Sequence, residues 1–313
     1  MRPYVDIEAI FSVIDGLREY NIENIGELSI YCSRKFLKQT LLEKQVPAKT
    51  ILESLERRFQ RFIRICCQLK SKYRQKMVNT YTNFFNIISN TTNAPQTSSN
   101  LKYDNRWTLF TTNYDRRLEA FWRENFRVSL DTGFRGKDGT LSSDHFLYTY
   151  GSQVSSLRNV SGNPRLVKLH GSITWLKRED TGEIEEQIFH LDQGFSELGT
   201  GSLYTDEIVI YPLRQKQLYV DPYIQMFYLL NKELALRTVW IVVGYSFRDP
   251  VLQNIFNINF SKGKKMILIH PYPEEVMPRF PNHNDQSIIV IDKHFGRDNE
   301  QNLINESLKK ELG

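Results

Sequence analysis

The 313-residue sequence predicts an α/β fold of Rossmann-like type, a parallel sheet with flanking helices, plus an N-terminal helical segment. Three observations carry that expectation. Short apolar runs without polar alternation recur after residue 107, as expected of strands covered on both faces. Helical periodicity fills the intervals between them, which argues for parallel strands joined by crossover helices. Twice, at Asp221-Pro222 and Asp249-Pro250, the chain restarts on a residue pair that opens helices.

Taken in order, Ile7, Ile10, Phe11, Ile14 and Leu17 recur at steps of three and four and mark one face of an amphipathic helix. Beyond Pro47, Leu52, Leu55, Phe59, Phe62, Cys66, Leu69 and Tyr73 continue that spacing, with Arg57, Arg58, Arg61, Arg64, Lys70 and Lys72 between them. This is a long helix with a basic face. Its apolar stripe suits packing against neighbouring helices, with a coiled-coil seam as the alternative. The polar tract from Ser89 to Asn100 has no apolar period and reads as a loop or linker. A first segment, residues 1–100, is therefore expected to be helical and to end in this linker, and residues 101–313 to form the α/β domain.

Within that domain the expected strands are Trp107 to Thr111, Arg165 to Leu169, Val239 to Val243, Met266 to Ile269 and Ile288 to Ile291. Helices are expected around Leu118, Phe121 and Trp122 and after each Asp-Pro pair. Gly133 to Gly139 and Asp180 to Gly201, rich in small, polar and charged residues without period, read as surface loops.

Composition narrows the function classes. Aromatic residues at 12% and hydrophobic residues at 40% exclude global disorder. The net charge of +5, from 41 basic and 36 acidic residues, is too small an excess to imply direct nucleic-acid binding. Cys32, Cys66 and Cys67 are odd in number and lack metal-ligand spacing, so they read as reduced thiols of a cytoplasmic protein. No apolar run approaches the roughly 20 residues needed to cross a bilayer, so the expectation is a soluble, non-secreted protein without a membrane partner.

The chemistry-bearing residues cluster where an open parallel sheet binds its ligands, at the carboxyl ends of strands. Phe110-Thr-Thr-Asn-Tyr-Asp115 brings Thr112, Asn113 and Asp115 there, and Val167-Lys-Leu-His-Gly-Ser172 brings His170 and Gly171. Gly244 and Ser246 follow the third run, and His270 follows the fourth. A neutral imidazole can accept a proton near neutral pH, and an asparagine amide can hold water or a hydroxyl without titrating. Together they suit a site that binds a sugar and moves one proton. Each also has a structural reading: Asn113 or Asp115 could cap the following helix, and Asp249 reads as an N-cap. His145, His190, His283 and His294 fall in no constellation.

Thr-Asn-Tyr-Asp, Lys-Leu-His-Gly-Ser and Val-Gly-Tyr-Ser-Phe-Arg-Asp-Pro, in that order from about Trp107 to Ile291, resemble the SIR2-like domains of prokaryotic defence proteins, NAD-consuming relatives of sirtuins. The resemblance implies an NAD glycohydrolase that acts as an antiphage effector. In it, Asn113 and His170 would be catalytic, with His170 the base. Thr112, Asp115, Gly171, Gly244, Ser246 and His270 would bind NAD. It also implies a protein partner such as an ATPase or an Argonaute-like protein, and a homo-oligomer.

The sequence departs from the family pattern twice. It has no cysteine beyond Cys67, so the paired-cysteine zinc ribbon of protein-deacetylating sirtuins is absent and no zinc is expected. Nor does a strand with a Gly-Ala-Gly-x-Ser turn precede Asp6 or occur later, although backbone N–H groups of such a turn would meet a pyrophosphate. That second departure is expected either if the sequence begins after this element or if the protein is a degenerate member, and the latter motivates an alternative reading, a catalytically inactive module that binds a nucleotide or scaffolds a partner. A third reading, nucleic-acid binding along Arg57 to Lys76, predicts affinity that falls steeply with salt.

Overall fold

A computed structural model of the chain describes residues 67, 73–91, 107–126, 130–135, 140–141, 164–178, 184–186, 204–209, 222–261, 263–280 and 287–312. The expected helix at 7–17 and most of the basic helix lie outside them. Helix α1, Arg74–Thr91, opens the described part. Its last turn includes Ser89 to Thr91, which the polarity of the tract had assigned to the linker. Ser89 is fully buried and its hydroxyl donates to the Phe85 carbonyl, so the polar residue is satisfied inside the helix.

Parallel pairing joins β1 (Thr108–Thr111) to β4 (Arg165–Lys168) in one sheet. In a second sheet β8 (Val239–Val243), β9 (Lys265–Ile269) and β10 (Ile288–Ile291) run parallel in the order β10-β9-β8. Helix α2 (Arg117–Asn125) follows β1, α3 (Tyr223–Leu236) precedes β8, and α4 (Pro250–Asn259) crosses from β8 to β9. These strands and helices lie where the apolar runs and Asp-Pro pairs predict them. A short helix α5 (Pro273–Val276) and a 3₁₀ turn (Met277–Arg279) lie between β9 and β10, and α6 (Asp298–Leu312) ends the described chain.

Beside these parallel strands, the chain holds others that the sequence pattern does not announce. A third sheet has the order β2-β3-β6-β5-β7, made of β2 (Phe134–Arg135), β3 (Thr140–Leu141), β5 (Gly171–Arg178), β6 (Ile184–Glu186) and β7 (Tyr204–Val209). The pairs β2/β3, β3/β6 and β5/β6 are antiparallel. Parts of both stretches assigned to surface loops are therefore strand. Runs of two or three residues are too short to show a period of two, which is why the sequence pattern does not reveal them.

Helices cover the β10-β9-β8 sheet from both sides. Ile267 and Ile269 of β9 join Ile291 of β10, Phe84, Phe85 and Ile87 of α1, Phe121 and Trp122 of α2, and Ile304 and Leu308 of α6 in one buried cluster. Leu109 of β1 and Ile241 of β8 pack against the same cluster. Phe85 sits at its centre, stacked on Phe121 at 5.7 Å and edge-on to Trp122 at 5.4 Å. Burying an aromatic ring of this kind is worth about 2–3 kcal/mol. On the opposite face, Trp240 of β8 meets Phe256 of α4 and Phe260 beyond it. β9 is buried from Met266 to Ile269, whereas in β8 Val239 and Val243 stay 44% and 36% exposed. β8 ends the strand order, so the helices shield its middle and leave its two ends open.

Candidate functional site

The β1/β4 register fixes where Asn113 and His170 lie. Thr111 pairs with Lys168, and the Leu169 N–H donates to the Thr111 carbonyl at 2.8 Å. Asn113 and His170 each follow those paired residues by two positions. Adjacent strands are about 4.8 Å apart, so both residues emerge at neighbouring points on one sheet edge. Two further bonds tie the emerging segments together: the Ile173 N–H and the Ser172 hydroxyl both donate to the Tyr114 carbonyl.

The loop after β1 turns on its own side chains. The Asn113 N–H donates to the Thr111 hydroxyl at 3.0 Å, and the Asp115 carboxylate accepts the Arg117 N–H at 2.9 Å. Arg116 is the N-cap of α2, so Asp115 meets the first helical N–H from the residue before the cap. Asn113 takes no part in the cap. Its side chain is exposed and its amide makes no hydrogen bond to a described residue. Thr112, half-buried, lies between the end of β1 and Asn113.

On the other strand, the chain passes from the β1/β4 sheet into the β5 sheet within Leu169-His170-Gly171. The turn needs a left-handed residue, and Gly171 has φ +79°. His170 is 8% exposed, and its Nε2 lies 3.2 Å from Oδ2 of Asp249. The other oxygen of Asp249, Oδ1, accepts the N–H groups of Val251 (3.0 Å) and Leu252 (3.4 Å) and caps α4. One carboxylate thus serves a helix N-terminus and an imidazole at once. The Asp-Pro signature discloses only the cap, because the contact with His170 bridges 79 positions in the chain.

The segment from Gly244 to Asp249 is held in an unusual path. Gly244 has φ +65°, and so, less commonly, Phe247 adopts φ 52°. A bulky residue in the left-handed region is strained by about 1–3 kcal/mol and persists only where surroundings enforce it. Those surroundings are aromatic: Phe247 is 1% exposed and packs on Tyr245, Phe256 and Phe280. Arg279 donates to the Ser246 carbonyl at 3.1 Å. The Gly244 N–H is committed to the Ile269 carbonyl, but a side chain at Gly244 would meet nothing within 4 Å, so this backbone is open to approach.

His270 follows β9. Its Nδ1 accepts the Tyr272 N–H at 3.1 Å, which leaves Nε2 as the protonated nitrogen of the neutral ring. Burial holds its pKa below the ordinary imidazole value, so near neutral pH it acts as an uncharged donor. His294, unassigned from the sequence, pairs through Nδ1 with Glu300 at 3.0 Å. At the start of α3, burial pushes the Tyr223 phenol upward, with Tyr114 adding to the effect.

A buried ionic network lies beneath the Asn113 loop. Lys168, 2% exposed, donates to the Asp115 carbonyl and pairs with Glu119 at 2.9 Å. Next to it, Arg116 lies 3.4 Å from Glu186, whose carboxyl is raised by burial. Lys168 stands two residues before His170 and clamps the loop that carries Asn113. The sequence signal for it was present, a lysine inside an apolar strand, but its partners could not be read locally. Among the described residues no group of three His, Cys, Asp or Glu side chains could hold a metal ion, and no helix is long and apolar enough to cross a membrane.

The model of the SIR2-like domain matches residues 108–291, a span that holds the Asn113, His170, Asp249 and His270 segments. No curated protein matches the chain. Among solved structures the chain is similar to one described as "Structural Basis for the Mechanism and Regulation of Sir2 Enzymes", with 17% identity over 62% of this chain and 75% of that one and a TM-score of 0.29.

Proposed function

This chain belongs to the SIR2-like domain family, and from that premise we propose that it is an NAD glycohydrolase, converting NAD and water to nicotinamide, ADP-ribose and a proton. The observation that supports this reading best is the pairing of an exposed, uncommitted amide at Asn113 with the imidazole of His170 on one sheet edge. The nicotinamide of NAD is already cationic, so it departs with the bonding electron pair without an acid. The transition state then resembles an oxocarbenium ion, as in other glycosyl transfers.

In this reading Asn113 holds water or a ribose hydroxyl through its amide, and His170 accepts the proton released as the new C–O bond forms. Thr112 and Asp115 line the nicotinamide-ribose side. Gly171 permits the turn that presents His170. Gly244, open above its Cα, and Ser246 lie toward the phosphates and adenosine, and His270 is a neutral donor on that side. The chemistry calls for no metal ion. We place the activity in antiphage defence in a cytoplasm, with release by a protein partner such as an ATPase or Argonaute-like protein, in a homo-oligomer.

The test is NAD consumption by the purified chain and by two variants. Wild type should release nicotinamide, and Asn113→Ala and His170→Ala should each lower the rate by roughly 100-fold or more. Turnover retained in both variants contradicts the assignment. NAD bound with no turnover in wild type makes the chain a nucleotide-binding module instead.

A further inference from the structure

We propose that Asp249 is a positioning residue for His170: its Oδ2 accepts the Nε2–H of the imidazole and so leaves Nδ1 as the atom that takes the proton. The inference rests on the reading of His170 as proton acceptor and extends it to a tautomer and to a second residue.

The contact itself is a buried pairing of Nε2 with Oδ2 at 3.2 Å, with side chains 9% and 6% exposed. An ionised carboxylate accepts and cannot donate, so the neutral ring facing it must carry its hydrogen on Nε2. Nδ1 is then the lone pair. That nitrogen makes no hydrogen bond to a described residue, nor is it among the sealed polar atoms of the buried side chains. It is the ring nitrogen left free to receive a proton. When water attacks the ribose carbon, its proton moves to Nδ1, the carbon–nitrogen bond breaks toward nicotinamide, and the resulting imidazolium is stabilised by the Asp249 charge. This is the orienting role an aspartate plays beside a histidine base in hydrolytic triads.

Two features show that Asp249 is held for this geometry. Its other oxygen is fixed by the α4 N-terminus, so the carboxylate cannot rotate away from the ring without giving up two backbone N–H groups. The segment that delivers it carries the strained φ of Phe247, enforced by the aromatic plug of Phe256 and Phe280. A helix cap alone needs no such path, because any Asp before Pro250 in extended backbone would supply it.

The discriminating variant is Asp249→Asn. Asparagine caps helices as well as aspartate, so a purely structural role is preserved. Its amide, however, must turn either oxygen or nitrogen toward the ring. The α4 N–H groups can only donate and claim the oxygen, so the NH₂ faces His170 and the imidazole yields by moving its hydrogen to Nδ1. Nitrogen-15 NMR of the imidazole at alkaline pH, where the ring is neutral, reads this directly on the full chain.

The expected result is an Nε2–H tautomer in wild type and in Asp249→Glu, and an Nδ1–H tautomer in Asp249→Asn, with NAD turnover of Asp249→Asn lower by roughly 100-fold. An imidazole protonated at Nδ1 in wild type, or a tautomer unchanged in Asp249→Asn, overturns the proposal. A wild type that consumes no NAD but shows the tautomer exchange would remove the hydrolase reading and still support the role of Asp249.

Discussion

Asn113 and His170 are set at one edge by the same register but differ in what surrounds them, and this makes their variants behave differently. The Asn113 amide is exposed and unbonded, so Asn113→Ala should alter stability by no more than about 0.5 kcal/mol, the usual range for surface changes. In the proposed role its effect would fall on turnover instead. His170→Ala removes one of the partners of a buried carboxylate that still caps α4 and should cost about 1–3 kcal/mol through Asp249. Denaturant unfolding of both proteins checks the contrast, and an Asn113→Ala destabilised as much as His170→Ala would place that amide in packing instead. Glu300 allows a pH test at the same scale. The backbone N–H of His294, then the Arg297 guanidinium and the His294 ring, hold its carboxyl at about 2 against an ordinary 4.5. A lowered carboxyl pKa means the folded state binds its proton more weakly than the unfolded chain, so stability is gained above 4.5 and lost as pH falls toward 2. Glu300→Gln should therefore melt below wild type at neutral pH, with the gap closing across that window. A gap independent of pH would contradict the assignment.

Among the elements, β4 carries the heaviest constraint, since it presents His170 at its end and clamps the Asn113 loop through Lys168. Lys168 and Glu119 form an ion pair with both side chains below 10% exposure. Such a pair adds little net stability, but removing one member strands the other charge at a cost of about 3–5 kcal/mol. Lys168→Met should show that loss, and Lys168→Met with Glu119→Gln should recover much of it. A double variant no more stable than the single one would mean the two charges are not coupled. Legibility follows the same physics. β8, β9 and β10 could be read because each carries an uninterrupted apolar run, and α4 because Asp249-Pro250 announces it. The β2 and β6 strands could not, being two and three residues long. Helix α6 went unnoticed because its buried face is narrow, Gln301, Ile304 and Leu308 in a mostly charged and polar segment.

For the whole molecule, membership in the SIR2-like domain family rests on a match over residues 108–291, and the motifs that foretold it are those the fold brings to the strand ends. The strand-end position of Asn113 and His170 can be read from the sequence because the apolar runs that carry them end just before each residue. Asp249 was half legible: its cap is local, whereas its grip on His170 is a product of the tertiary fold. Proton NMR of NAD incubated with the purified chain tests the proposed hydrolysis at this edge most directly. Free nicotinamide and ADP-ribose should grow together in wild type and roughly 100-fold more slowly in His170→Ala. NAD signals unchanged with wild type, or lost equally fast with His170→Ala, would contradict it.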